Sequence, residues 1–169
     1  MGWFWQGNTS AIGIDLGNTW LKLIQLQQGK KGARLLSGAA ERCPEGVNPS
    51  TAEWQRWAIG AIRSAISDHR FKGRKVVAAM PAADVFIDNL RIPKGEGADL
   101  DNAAAVKIED KLPFDRNNAM VKSMRTENGN VVAVATDRGI VERHLAIYER
   151  ASVTLQSICI WPIAIASCY

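Results

Sequence analysis

The chain has 169 residues, 47% of them hydrophobic and 22% charged, enough to bury one sizeable core and within the soluble globular class. Its 21 Lys and Arg against 17 Asp and Glu give a net charge of +4, and the basic residues are scattered among acidic ones, which argues against a nucleic-acid-binding face. Three widely spaced cysteines, Cys43, Cys159 and Cys168, show no CxxC or Cys/His ligand spacing; neither a disulfide framework nor a zinc site is expected, and a reducing cytoplasm is the natural compartment.

The first ten residues, MGWFWQGNTS, form a leader carrying Trp3, Phe4 and Trp5. Such an aromatic trio could touch a membrane interface or a partner, but it better suits a frayed terminus that packs a ring or two on its own domain. The leader lacks a basic region followed by a long apolar core, and the longest apolar stretch, 158–166, is too short to span a bilayer.

A short apolar strand is predicted over 11–16, a turn at Gly17-Asn18, a second strand over 20–26, and a third over 33–40 after the 28–32 turn. Together they make an antiparallel meander. Ser50 or Thr51 then caps a helix in which Trp54, Ala58, Ile62 and Ile66 recur at four-residue steps. The run 75–80, KVVAAM, reads as a buried strand reached by a helical crossover.

Beyond Pro81 the pattern changes. A strand is predicted over 85–92, a loop over 93–97, and a helix capped by Asp99 whose stripe is Leu100, Ala104, Ile108 and Leu112. Pro113 stops it. Strands follow at 119–125 and 130–136, joined through Glu127-Asn128-Gly129, and Asp137 opens a helix with Ile140, His144 or Leu145, and Tyr148 inward. A strand over 155–160 closes the series before Pro162. The order strand, helix, strand, strand, helix over 84–150 suits an inserted subdomain.

The segment GIDLGNTWLKL, residues 13–23, holds the chemistry-bearing cluster. Gly17 and its neighbours offer backbone N–H groups to an anion, Thr19 adds a hydroxyl and Lys22 a point charge, while Asp15 suits a water of a magnesium ion. The same residues fit a plain hairpin turn in which Asp15 satisfies turn amides. Both readings stay open on the pattern alone.

With its sequel LIQL, this segment resembles the first phosphate-binding hairpin of the actin, Hsp70 and sugar-kinase superfamily. The ordered set KVVAAMPAADVFIDNLRIPKG, IEDKLPFD, NVVAVATDRGIVERHLAIYERA and ICIWPIAIA resembles the PilM-type proteins of type IV pilus assembly over residues 11–166. That resemblance implies an α/β fold: an actin-like (ribonuclease H-like) domain with a mixed sheet, formed by 11–82 plus 151–169, and a small α+β subdomain inserted at 83–150. It also implies a first half only, because members of the family continue through a second lobe that completes the nucleotide site.

The resemblance further implies ATP with magnesium at Asp15, Gly17, Asn18, Thr19 and Lys22, held rather than turned over, with no catalytic acid that can be located. Where family members often carry acidic residues this chain reads Cys159-Ile160-Trp161-Pro162, so no magnesium role passes to that point, and Trp161 is expected to pack. The partner implied is the cytoplasmic N-terminal peptide of a PilN-like inner-membrane protein. Its groove would be flanked by Pro81, Val85, Ile87 and Leu90 and by Ala104, Ile108 and Leu112, a helix stripe that also fits ordinary core. The implied place is the cytoplasmic face of the inner membrane, in pilus, secretion or competence machinery. The alternative is an ATP-dependent phosphotransferase of the sugar or pantothenate kinase kind, or a type II secretion component. His69 and His144, isolated from other ligand residues, are expected at a helix surface or end rather than on a metal.

Overall fold

The computed structural model describes residues 5–6, 8–49, 51–93, 99–126 and 129–160. Trp3, Phe4, the alternative cap Ser50, most of the 93–97 loop, Glu127, Asn128, Trp161, Pro162 and Cys168 therefore lie outside the described residues. The chain divides into two units, one holding the described residues up to Pro81 and from His144 on, the other Ala82–Arg143.

The first unit is built on a mixed sheet. Strands β1 (Trp5–Gln6) and β2 (Thr9–Ser10) precede β3 (Ile12–Leu16), β4 (Trp20–Gly29) and β5 (Gly32–Arg42). Helix α1 (Ala52–Asp68) then crosses over to β6 (Lys75–Met80). The meander β3, β4, β5 is antiparallel, as the turn signals required, and β6 returns parallel to β3 with Gly13 opposite Val77. The leader goes beyond its expected fraying: β1 pairs with β2, and β2 with β4 at Thr9 and Gln27.

Helix α1 starts where the sequence supplies a cap. The Thr51 hydroxyl oxygen accepts from the Trp54 N–H at 3.2 Å, satisfying one of the donors that a helix N-terminus leaves open. Its buried stripe, Trp54, Ala58, Ala61, Ile62 and Ala65, follows the helical period and covers one face of the sheet through Ile12, Ile14, Leu21, Leu23 and Val76. Gln25 breaks the alternation of β4: it is buried where an apolar residue is expected, while Ile24 is 52% exposed. Three hydrogen bonds make that burial tolerable. Gln25 Nε2 donates to the carbonyls of Ser10 and Lys72, and its Oε1 accepts from the Lys72 N–H, all within 2.7–2.8 Å.

The second unit has strands β7 (Phe86–Leu90), β8 (Ala119–Arg125) and β9 (Val131–Asp137), with helix α2 (Leu100–Ile108) between β7 and β8. The sheet is antiparallel in the order β7, β9, β8. Asp99 caps α2 by accepting from the N–H groups of Asp101 and Asn102, as its side-chain chemistry predicts. The α-helix ends at Ile108 and tightens into a 3-10 turn over Glu109–Lys111, so Leu112 lies beyond the helix proper. The core of this unit is small: Leu90, Ile92, Ala104, Ile108, Val131, Ala133 and Ala135.

Helix α3 (Arg138–Arg150) follows β9, and β10 (Thr154–Ile160) then pairs parallel to β6 in the first unit's sheet. The inward residues of α3 are His144, Ile147 and Tyr148, continued by Ala151, a 3–4 spacing that leaves Leu145 44% exposed. His144 is thus no surface residue. Its ring lies 6.2 Å from Trp54 and 6.3 Å from Tyr148, because the helical period carries it onto the same stripe.

Candidate functional site

The hairpin between β3 and β4 brings the five residues of the sequence-predicted cradle to one end of the first unit. Asp15 and Lys22 stand directly opposite each other across the two strands, and Lys22 Nζ meets Asp15 Oδ2 at 3.3 Å with both side chains more than half exposed. The turn itself is closed by the Gly17 N–H, which donates to the Trp20 carbonyl at 2.9 Å. That bond removes Gly17 as an amide donor to an anion. A Cβ at position 17 would lie 3.4 Å from the Trp20 carbonyl oxygen, ordinary contact, so the turn does not demand a glycine for space. Asn18 and Thr19 are exposed at the tip, and the Thr19 carbonyl is occupied by the Cys43 N–H at 2.9 Å.

The chemistry left to this tip is the Thr19 hydroxyl, the Asn18 amide and the Lys22 ammonium. A phosphate arriving here meets a lysine already drawn to a carboxylate, in water, where the pair is weak and readily exchanged. These donors fit one phosphate group. Among the described residues no group of three or more His, Cys, Asp or Glu gathers at metal-ligand distance.

Beneath the hairpin, Tyr148 is fully buried and its phenol is held well above its usual range, first by desolvation and then by the negative charge at Asp15. The Tyr148 hydroxyl and the Trp54 Nε1–H find no hydrogen-bond partner among the described residues. Tryptophans 54 and 57 therefore belong to the core side of α1, Trp57 partly buried against the cluster that contains Trp54.

The residues expected to flank a peptide groove divide into two groups. Leu90, Ala104 and Ile108 are at most 7% exposed, sealed between the three-stranded sheet and α2; they form that core and do not line an open groove. The apolar stripe of α2 is explained by its packing. Ile87 is 41% exposed, and Pro81, Val85 and Leu112 are half-buried. Ile87 shares the uncovered face of its sheet with Val134, its register partner, and with Met120 and Met124 on β8. No sequence signal beyond the alternation of these strands marks Met120 and Met124 as surface residues, and they were not singled out.

Charged pairs tie the helix region to the strands, Asp88 from the face that α2 covers and Lys122 from the opposite face of β8. Asp101 accepts from Lys122 Nζ, the Ser123 N–H and the Ser123 hydroxyl, each at 2.7 Å, and Asp88 accepts from Lys111 Nζ at 2.7 Å. Both carboxyls are held below the usual carboxylate range, in each case chiefly by the lysine hydrogen bond. Sequence reasoning did not single out either aspartate; a lone carboxylate in a strand, like Asp88, or in the first turn of a helix, like Asp101, gives no hint of its distant partner.

No protein-family model and no curated protein sequence matches the chain. Solved structures do. A PilM-PilN type IV pilus biogenesis complex is similar over 91% of this chain and 48% of the matched one, with a TM-score of 0.77 at 21% identity. The cytoplasmic domain of EpsL, an inner-membrane component of the type II secretion system of Vibrio cholerae, is similar over 87% of this chain and 56% of the matched one, with a TM-score of 0.63 at 14% identity. The chain spans about half the length of the structures it matches. The fold is the α/β, actin-like one that the sequence led us to expect.

Proposed function

We propose that this chain is an assembly component of a type IV pilus or a related secretion or competence machine, binding the N-terminal cytoplasmic peptide of a PilN-like inner-membrane protein at the membrane's cytoplasmic face. The observation that supports this reading most is the similarity, across 91% of the chain, to a PilM-PilN complex. A peptide would be held by apolar side chains that are accessible; of the expected set, Ile87 is exposed and Pro81 and Val85 are half-buried outside the second unit's core, whereas Leu112 packs against that core. Among the described residues no helix is long and apolar enough to cross a membrane.

Titration of the chain with a synthetic PilN-like N-terminal peptide in a calorimeter is expected to give saturable binding that Ile87→Asp abolishes while the far-UV spectrum is kept. No heat at millimolar peptide, from any such sequence, would defeat the reading.

A second property, nucleotide binding, is supported by the exposed Lys22 and Thr19 at the β3–β4 hairpin. In the bound form Lys22 would exchange Asp15 for a phosphate oxygen, and the Thr19 hydroxyl would donate to the same group. ATP with magnesium is the ligand to test, by fluorescence titration of wild type and Lys22→Ala. Weak magnesium-dependent binding that the substitution removes supports the cradle; equal binding by both proteins removes Lys22 from it. A phosphotransferase reading needs in addition a carboxylate base aimed at a substrate, and the hairpin's own carboxylate, Asp15, already faces Lys22.

A further inference from the structure

The first unit's sheet is covered on one face by α1 and open on the other, and its two ends differ in charge. At one end stands the β3–β4 hairpin with its Asp15–Lys22 pair. The other end draws on two stretches that hold no Asp or Glu, 16–40 and 69–83. The first supplies the β4–β5 hairpin, with Lys30 and Lys31 in its tip and Arg34 just beyond; the second supplies the loop between α1 and β6, with Arg70, Lys72 and Arg74. All six residues are exposed. The stretches meet at Gln25, whose amide holds both backbone groups of Lys72. The register agrees: Ile12 pairs with Val76 and Gly13 with Ile24, so the start of β6 lies level with Gln25. Among the described residues none of the six pairs with a carboxylate. Arg34 donates to Gln27 Oε1 at 3.0 Å and Arg74 to the Ser152 carbonyl at 3.2 Å, neutral acceptors that leave both charges uncompensated. The acids at the helix ends here are Asp68, which accepts from the Ser67 hydroxyl, and Glu149.

We infer that this end of the first unit lies against an anionic lipid surface, so that the chain makes its own contact with a bilayer, separate from any that a partner peptide provides. Charge complementarity selects that occupant. Cations that alternate with acids elsewhere in the sequence are gathered here without counter-charge, on a projecting hairpin and a loop rather than along a groove. A nucleic-acid strand is held by a groove with exposed aromatic rings on which bases stack, and Phe71, between Arg70 and Lys72, is instead half-buried against the first unit's core. Strand β1 adds a second observation. Its register with β2, and that of β2 with β4 at Gln27, place Trp5 at the same end, and tryptophan is enriched at the headgroup level of membranes. Each Lys or Arg close to an anionic bilayer is worth about fivefold in affinity, and the attraction decays over about 8 Å at physiological salt.

Co-sedimentation of the full chain with vesicles of phosphatidylcholine containing about one-third phosphatidylglycerol, compared with phosphatidylcholine alone, tests this. Binding to the anionic vesicles is expected, with release at high salt. Lys30→Ser with Lys31→Ser, and separately Arg70→Ser with Lys72→Ser, are each expected to weaken it about 25-fold. A control, Lys107→Ser with Arg138→Ser, removes the same charge from exposed positions of the second unit and is expected to stay within about twofold of the wild type. The Lys72 substitution keeps the backbone groups that hold Gln25, and far-UV spectra check that each variant is folded. Equal losses in all three double variants would reduce the effect to net charge and overturn the inference, as would a wild type that does not sediment with the anionic vesicles. Duplex DNA that binds more tightly than these vesicles at the same ionic strength, and that the hairpin and loop variants release, assigns the surface to nucleic acid and overturns it equally.

Discussion

The two sheets are stabilised differently. In the first unit the helix α1 lies on the sheet through Trp54, Ile62 and a run of alanines, against Ile12, Ile14, Leu21, Leu23 and Val76, and the adhesion is almost wholly apolar. In the second, three of the seven core residues are alanines, and ion pairs supplement the packing: Lys122 with Asp101 links β8 to α2, Lys111 with Asp88 links the end of the helix to β7, and Arg116 with Glu109 braces the turn. A small core removes little apolar surface from water, so part-buried hydrogen bonds take a larger share of the stability. The first unit should therefore be insensitive to acid and sensitive to cavities. The second should respond to both.

The largest expected effect comes from Ile62→Ala, which empties a fully buried position beneath α1. A loss of about 2–5 kcal/mol is expected in urea unfolding. A loss below about 1 kcal/mol would mean that the apolar account of this sheet is wrong. Next is Asp101→Ala, which strands the Ser123 N–H and hydroxyl. It is expected to cost about 1–3 kcal/mol, read as faster amide exchange confined to Ala82–Arg143.

The same aspartate sets a pH dependence. Asp88 and Asp101 titrate lower when folded than their ordinary 3.8, so the folded state binds fewer protons than the unfolded one as these groups begin to protonate. Their contribution is complete above that value and is lost as pH falls through the lowered folded values. Acid is therefore expected to open the second unit first, and Asp101→Ala to reduce that preference, as followed by amide exchange in a series from neutral pH downward.

Tyr148→Phe comes third and has the opposite sign. It removes a buried hydroxyl that has no partner among the described residues, and a gain of up to about 1 kcal/mol is expected from thermal melts. A loss of similar size would reveal a partner for that hydroxyl. The smallest effect belongs to Lys22→Ala, whose exposed pair with Asp15 is worth about 0–1 kcal/mol; the melting temperature should scarcely move, whatever happens to ligand binding.

Much of this was legible in the sequence where one local rule governs. The strands over 75–80 and 119–125 coincide with β6 and β8, and Thr51 and Asp99 cap the helices that their side-chain chemistry predicts. Legibility fails where a distant partner decides. Nothing near His144 announces that Trp54 and Tyr148 will enclose it, and nothing near Thr9 announces that Gln27 awaits it. The candidate site shows the same division. Asp15 and Lys22 face each other as the hairpin dictates, but the loss of the Gly17 amide to Trp20 depends on turn geometry that composition does not express. Leu90, Ala104 and Ile108 read equally well as groove or core, and only the pairing of β7 with β9 beneath α2 decides for core.

Gln25 sits opposite an irregularity in β5: the pairing of the two strands shifts between Gln25 and Leu26, leaving Leu36 as the extra residue. A slip of β4 by one residue would turn Gln25 to the open face and break all three of its bonds, to Ser10 and to both backbone groups of Lys72. Two of those bonds, both to Lys72, can form only once a segment 47 positions away has arrived. Errors in the early meander would be corrected when β6 docks, so Gln25→Leu should fold to a protein of near-native helix content with more than one register.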